Sequence, residues 1–127
     1  MTYLVLDSTF LIDHLRGDPE AIQRLARLFD DGDIPVVTDV VVCEVRTGLR
    51  DEDEHHLDAL IEPMEFVQPG PEQAMTAGRW RAGQARIGRT LSLGDALIAS
   101  SAESRSARVL TRNVRDFAMT PVGVETY

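Results

Sequence analysis

Four acidic residues have the types and positions that could bind a metal ion. Asp7 directly follows the apolar run 3–6, and Glu44 lies in the largely apolar segment 40–45, where an unpaired carboxylate is costly. Asp95 begins a predicted helix, and Asp116 follows a predicted strand. Because the carboxyl ends of parallel strands meet at one edge of a sheet, these side chains can converge there. Converging carboxylates repel one another and need a cation, and all-oxygen ligands suit Mg²⁺ or Mn²⁺.

Each acid also has a simpler structural interpretation. Asp7 could cap a helix or an Asx-turn, and Asp116 could cap a turn. Asp95 could complement the dipole of its helix, and Glu44 could lie on an exposed face. The metal-site hypothesis therefore depends on whether the fold brings the four acids together.

Short segments of strand character alternate with helical patterns along the whole sequence. The predicted strands cover residues 3–6, 34–37, 65–67, 108–111 and 122–126. The predicted helices cover residues 10–16, 19–30, 40–48, 57–61, 71–85, 93–104 and 113–117. This alternation predicts a single α/β domain over residues 1–127, with a short parallel sheet flanked by helices in an α/β/α arrangement.

Hydroxyl residues and apolar spacing define the ends and faces of these helices. Ser8 or Thr9 is predicted to cap the first helix. Thr38 and Ser92 are predicted to cap the helices that carry Glu44 and Asp95. The residues predicted to face inward include Ile22, Leu25, Phe29 and Leu93.

Length and cysteine content limit the class of protein. The 127 residues suffice for one domain with a core. The single cysteine, Cys43, excludes an intrachain disulfide and a cysteine-based zinc cluster. No apolar run is long enough for a membrane span, and the N-terminus lacks the pattern of a signal peptide. We therefore expect a cytoplasmic protein without a membrane partner.

Charge is distributed unevenly along the chain. Every basic residue is arginine, and the net charge is −8. Residues 1–64 hold 5 arginines and 15 acids, whereas residues 65–127 hold 8 arginines and 6 acids. The stretch 79–115 contains all eight of those later arginines. Such a local basic face can contact phosphates despite the overall acidity, although it is also typical of a solvated surface.

Four short motifs together resemble the PIN-domain ribonucleases, and in particular their VapC-type toxins. The motifs are Leu6-Asp7-Ser8, the segment 38–48 with Glu44, the segment 91–99 with Asp95, and the segment 110–117 with Asn113 and Asp116. They occur in the family's order and with similar spacing over nearly the whole chain. Any one of them is weak evidence, whereas four in sequence are fairly specific.

This resemblance implies a metal-dependent endoribonuclease that cleaves cellular RNA (tRNA, rRNA or mRNA) with a metal-activated water. By analogy, Asp7, Glu44 and Asp95 are the catalytic acids that hold Mg²⁺ or Mn²⁺. Many relatives carry a fourth acid where Asn113 stands, whereas in this chain the acid is displaced to position 116. The fourth position is therefore filled either by Asp116 or by the neutral side chain of Asn113. Because the fourth ligand differs from the family's pattern, the resemblance is compatible with either one or two bound metal ions.

The resemblance also suggests supporting residues and partners. Ser8 and Thr111 are hydroxyls that could orient the carboxylates. The candidate contacts to the RNA backbone are Arg112, Arg115, Arg86 and Arg89. Family members are inhibited by a cognate, VapB-like antitoxin, so we expect such a partner, together with a homodimer or a heterotetramer or larger complex.

Two features of the sequence are also typical of other sites, namely a nucleotide-binding loop and a phosphotransfer aspartate. The spacing of Gly83, Gly88 and Thr90 matches a P-loop, but no buried strand precedes it and the phosphate-binding lysine is missing. Phosphotransfer folds that use an aspartate after the first strand also require a lysine, which this chain lacks. The alternative from another class is a non-catalytic protein-binding module of the same fold with a vestigial acidic site.

Overall fold

Five short parallel strands form one sheet in the computed structural model, which describes residues 2–127. The strands are β1 (Tyr3–Leu6), β2 (Ile34–Thr38), β3 (Glu65–Val67), β4 (Arg108–Leu110) and β5 (Val124–Glu125). Their order in the sheet is β3-β2-β1-β4-β5. The chain therefore winds outward from β1 to one edge, returns to the other side of β1, and winds outward again. The pair β1 and β4 marks this switch, and crevices that bind ligands lie at such points.

Seven helices pack around the sheet in an α/β/α arrangement. They are α1 (Ser8–Leu15), α2 (Pro19–Asp30), α3 (Asp39–Thr47), α4 (Glu54–Ile61), α5 (Pro71–Arg86), α6 (Leu93–Ser104) and α7 (Val114–Phe117). A single 3₁₀ turn, Asp51–Asp53, precedes α4. No helix of the described residues is long and apolar enough to cross a bilayer. The predicted α/β/α fold with a parallel sheet is confirmed.

The central strand is apolar on both faces because helices cover both sides of it. Leu4, Val5 and Leu6 are at most 1% exposed. Val5 lies opposite Val36 of β2 and Val109 of β4, both of which are fully buried. Continuous apolar strands of this kind are typical of a buried parallel sheet.

Two of the three predicted helix caps are confirmed. The Thr38 hydroxyl accepts a hydrogen bond from the backbone N–H of Val41 at 3.2 Å, and Ser92 accepts one from that of Asp95 at 3.1 Å. The cap predicted for the first helix is wrong, since α1 already begins at Ser8 and no side chain caps it. The hydroxyls that were expected to cap α1 instead contact a carboxylate.

Some predicted inward residues lie at the surface. Ile22 and Phe29 of α2 are each 43% exposed, and Leu93 of α6 is 59% exposed. The buried stripe of α2 consists of Ala21, Leu25 and Leu28, which recur at the spacing of one helix face. The predicted apolar face of α2 was therefore wider than the face that the neighbouring elements bury.

A candidate metal centre at the carboxyl edge of the sheet

Asp7 lies at the carboxyl end of the central strand, beside the switch point. Its backbone N–H donates to the carbonyl of Leu110 at 3.0 Å, which extends the pairing of β1 with β4 by one residue. The residue is 1% exposed. A carboxylate buried to this degree requires hydrogen-bond partners or a cation.

Two threonine hydroxyls fix the Asp7 carboxylate. Thr111 donates to Asp7 Oδ2 at 2.7 Å, and Thr9 is placed to donate to the same oxygen at 3.0 Å. Each hydroxyl also accepts a backbone N–H of the loop after β4, Thr111 from Asn113 at 2.8 Å and Thr9 from Arg112 at 3.4 Å. The contribution of Thr111 was predicted, whereas that of Thr9 was missed. Its spacing two residues after Asp7 was the available signal.

Glu44 reaches the same region from α3. Its residue is exposed, yet its carboxylate lies against the first turn of α6, so that a Cβ added to Gly94 would meet Glu44 Oε2 at 2.6 Å. Partial desolvation, followed by the charges of Asp7 and Asp95, raises the pKa of Glu44, and a hydrogen bond from Ser8 opposes this rise. The Ser8 hydroxyl also lies 3.5 Å from Asp7 Oδ1, so it lies between two carboxylates, and its role in orienting them stays a prediction.

Asp95 has the most perturbed carboxylate of the site. It lies in the first turn of α6 and is partly buried. Burial raises its pKa from 3.8 to about 6, with a further contribution from the charge of Asp7. A hydrogen bond from Ser92 lowers this pKa, and the charge of Asp116 raises it slightly. Ionised carboxylates at Asp7, Glu44 and Asp95 thus destabilise one another, as expected for a cation-binding cluster.

The loop after β4 carries both candidates for the fourth ligand. Asp116 lies in α7 and is close enough to Asp95 to influence its pKa. Asn113 precedes α7, and its backbone N–H is bound to Thr111, while its side chain caps nothing. The charge coupling shows that Asp116 lies near Asp95, whereas the neutral Asn113 cannot be tested in this way, so both residues stay predicted candidates.

The donor set suits a hard divalent cation. All four acids offer carboxylate oxygens; the charges of Asp7 and Asp95 act on Glu44, whereas Asp116 is coupled to Asp95 alone. Within residues 2–127, no three His, Cys, Asp or Glu side chains are already close enough to ligate one ion. Carboxylates that repel one another settle apart unless a cation lies between them. The chemistry of the residues therefore fits Mg²⁺ or Mn²⁺.

Arg112 differs from the other arginines expected to contact RNA. Its guanidinium forms ion pairs with Glu20 at 2.8 Å, Asp18 at 3.0 Å and Asp13 at 3.6 Å. It also lies 4.5 Å from the ring centroid of Tyr127. The expectation that Arg112 contacts RNA is not supported by these contacts, because its charge is already matched. Arg112 instead ties the loop after β4 to the α1–α2 turn.

Comparison with known proteins places the chain in a family. The PIN domain model matches residues 4–121. The chain therefore belongs to the PIN-domain family, as the sequence motifs predicted.

The relatives within this family are more specific. Ribonuclease VapC19 of Mycobacterium tuberculosis is 32% identical over 117 residues, covering 92% of this chain and 94% of that protein. The toxin–antitoxin complex from Klebsiella pneumoniae contains a chain that is 25% identical, with a TM-score of 0.80 and coverage of 97% and 96%. A chain of VapBC2 from Rickettsia felis, crystallised with a promoter DNA fragment, has a TM-score of 0.86 at 18% identity and covers 99% of each chain.

Proposed function

We propose that this protein is a divalent-metal-dependent endoribonuclease of the VapC type, acting as the toxin of a toxin–antitoxin pair on cellular RNA. The observation that carries the proposal is the convergence of Asp7, Glu44 and Asp95, from three separate segments, at the switch point of the sheet. Similarity to VapC19, whose name is ribonuclease, supports RNA as the substrate class. The family match over residues 4–121 supports treating residues 1–127 as one domain.

The acids would hold the ion and the hydroxyls would orient the acids. Asp7, Glu44, Asp95 and Asp116 are the proposed catalytic acids and ligands of Mg²⁺ or Mn²⁺. When bound, such an ion lowers the pKa of a water ligand and stabilises the charge that develops on a scissile phosphate. Thr111 and Thr9 hold the Asp7 carboxylate in one orientation, which reduces the reorganisation needed when an ion binds.

A groove at the C-terminal ends of α1 and α3 offers a surface for a partner. A cavity of about 370 Å³ lies between α1, α3 and the start of α4, and its apolar lining includes Ile12, Leu15, Val45 and Leu49. A VapB-like antitoxin peptide with an apolar face would fit such a groove. The Klebsiella relative occurs in a toxin–antitoxin complex, which supports this partner. We also propose a homodimer that assembles with the antitoxin, in the cytoplasm where its RNA substrates occur.

Cleavage of RNA by purified protein tests the enzymatic proposal. The wild type should cleave RNA in Mg²⁺ or Mn²⁺ and lose this activity in EDTA. Asp7→Asn and Asp95→Asn should each reduce cleavage by at least a hundred-fold, because each removes a charged metal ligand. The matched control is Asp30→Asn, an exposed acid at the end of α2, which should cleave like the wild type.

The same assay distinguishes the enzyme from the alternative. A protein-binding module with a vestigial acidic site would show equal, background cleavage in the wild type and in both Asn variants. Cleavage that persists in EDTA would contradict the role of the metal. In cells, growth inhibition that persists in Asp7→Asn would contradict the toxin assignment.

A further inference from the structure

The ion pairs of the structure divide the arginines into two groups. Arginines 24, 46, 50, 105, 108 and 112 form ion pairs with carboxylates. Within residues 2–127, five arginines of the stretch 79–115 form none; these are Arg79, Arg81, Arg86, Arg89 and Arg115. An arginine without a carboxylate partner keeps its full charge available to an anionic ligand.

Two of these arginines line the same cavity beside the acidic site. The cavity has a volume of about 500 Å³ and is lined by Arg89, Thr90, Arg115, Asp116 and Met119. This volume is within the range of ligand pockets. Asp116 connects the cavity to the metal centre, since its charge reaches Asp95.

The walls of this cavity are fixed to one another. Gly88, at φ +78°, turns the chain after α5, and Arg89 follows this turn directly. Arg81 Nε donates to the carbonyl of Leu91 at 3.0 Å, which holds the loop that carries Arg89. The Gln84 side chain donates to the carbonyl of Met119 at 3.4 Å, which joins α5 to the segment after α7.

The lining suits an anionic phosphodiester better than a neutral ligand. Arg89 and Arg115 supply two guanidinium groups, which match the geometry of phosphate oxygens, and Thr90 adds a hydroxyl. Met119 offers an apolar contact for a ribose or base. Asp116 is the single acid of the lining, and its charge also influences Asp95 of the acidic site.

We propose that Arg89 and Arg115, with Thr90, jointly hold one phosphodiester of the RNA strand, adjacent to the phosphodiester that is cleaved. This inference rests on the proposed ribonuclease function and makes it more specific. The subsite would set the position of the strand over the acids, so that its main effect is on RNA binding and KM rather than on kcat.

Binding of a short, mixed-sequence, fluorescently labelled single-stranded RNA tests the subsite. Binding is followed by fluorescence anisotropy over a salt series in Ca²⁺, and a gel confirms that the RNA remains intact. Arg89→Gln and Arg115→Gln should each weaken binding roughly ten-fold, as expected for loss of a charge-assisted hydrogen bond. Each should reduce the slope of log K against log salt by at most about 0.7, the value for one phosphate contact on a single strand, because the remaining arginine still contacts the phosphate.

The double variant distinguishes one shared phosphate from two separate ones. If both arginines hold the same phosphate, Arg89→Gln/Arg115→Gln should lose less affinity than the product of the single effects, and its slope should fall by about 0.7 in total. The proposal would be overturned if the free-energy losses of the two single variants add up in the double variant and its slope falls by about 1.4, the value for two phosphates. Arg89→Lys should keep the slope of the wild type but not its full affinity, because the charge remains while the paired contacts are lost.

A matched arginine and the cleavage assay complete the test. Arg27→Gln changes the same charge at an exposed, unpaired position on α2 and should bind RNA like the wild type. If the cavity variants bind like Arg27→Gln, the subsite is wrong even when the wild type cleaves RNA. If the wild type cleaves no RNA but its binding depends on Arg89 and Arg115 as stated, the ribonuclease function fails and the phosphate subsite stands.

Discussion

Replacing Asp95 by asparagine should stabilise the metal-free protein while abolishing cleavage. The folded pKa of Asp95 is about 6, against 3.8 for the free side chain. This difference corresponds to a cost of roughly 3 kcal/mol for holding the ionised group at neutral pH. Since solvent reaches part of the carboxylate, we expect Asp95→Asn to recover about 2 kcal/mol. The backbone cap from Ser92 does not involve the Asp95 side chain and is retained.

The effect of pH on stability follows from the same shift. Between the two pKa values, the folded state binds more protons at Asp95 than the unfolded state does. The stability of the metal-free wild type should therefore rise as the pH falls from about 7.5 to about 5, with roughly half of the penalty relieved at the lower pH. Asp95→Asn should show a weaker pH dependence, to which Glu44 still contributes.

Urea denaturation in EDTA at the two pH values measures both effects. Glu72→Gln is the matched control, because Glu72 also lies in the first turn of a helix but is exposed and belongs to no acidic cluster. Glu72→Gln should lower the free energy of unfolding by about 0.3–1 kcal/mol, because it removes a favourable interaction with the helix dipole. This change has the opposite sign to that of Asp95→Asn. Saturating Mg²⁺ should stabilise the wild type and leave Asp95→Asn unchanged. If Asp95→Asn is no more stable than the wild type in EDTA at neutral pH, the reasoning is refuted.

Two further variants probe how the acids are positioned. Gly94→Ala should leave thermal stability equal to or slightly above the wild type but weaken Mn²⁺ binding several-fold in calorimetric titrations, because its Cβ would displace the Glu44 carboxylate. Gly83→Ala, whose added Cβ meets no atom within 4 Å, should bind Mn²⁺ normally, and equal affinities in the two variants would contradict the argument. Thr111→Val should destabilise the fold by about 1–3 kcal/mol, since the buried Asp7 carboxylate loses a donor, whereas Thr111→Ser should keep most of the stability and cleavage. Equal melting temperatures for Thr111→Val and Thr111→Ser would show that the Thr111 hydroxyl does not contribute to stability.

The sequence predicted those parts of the molecule that depend on local pattern. Continuous apolar runs indicated buried parallel strands, and the hydroxyls of Thr38 and Ser92 marked helix starts because such caps act over three residues. Asp7, Asp95 and Asp116 could be selected because each follows a strand or opens a helix. Glu44 could be selected because it interrupts a largely apolar segment.

Other parts depend on contacts between distant segments and could not be predicted. The contact between the hydroxyls of Thr9 and Thr111 spans 102 residues. The place of Glu44 over Gly94 depends on how α3 packs on α6, which no periodicity specifies. Arg112 was expected at the RNA because of its position next to the site, but the α1–α2 turn supplies three carboxylates that bind it.

The central position of β1 also determines when the site can form during synthesis. The strand that carries Asp7 is made first, yet it pairs with β4, which emerges about a hundred residues later. Until Arg108–Leu110 has been synthesised, one edge of β1 has no neighbour and Thr111 cannot reach Asp7. Because contacts at such separation form late and close large loops, a partly made chain would hold three of the acids without their alignment. Ribosome-bound fragments that end within α6 should therefore cleave no RNA, so the fold itself delays activity until β4 and Thr111 have been synthesised.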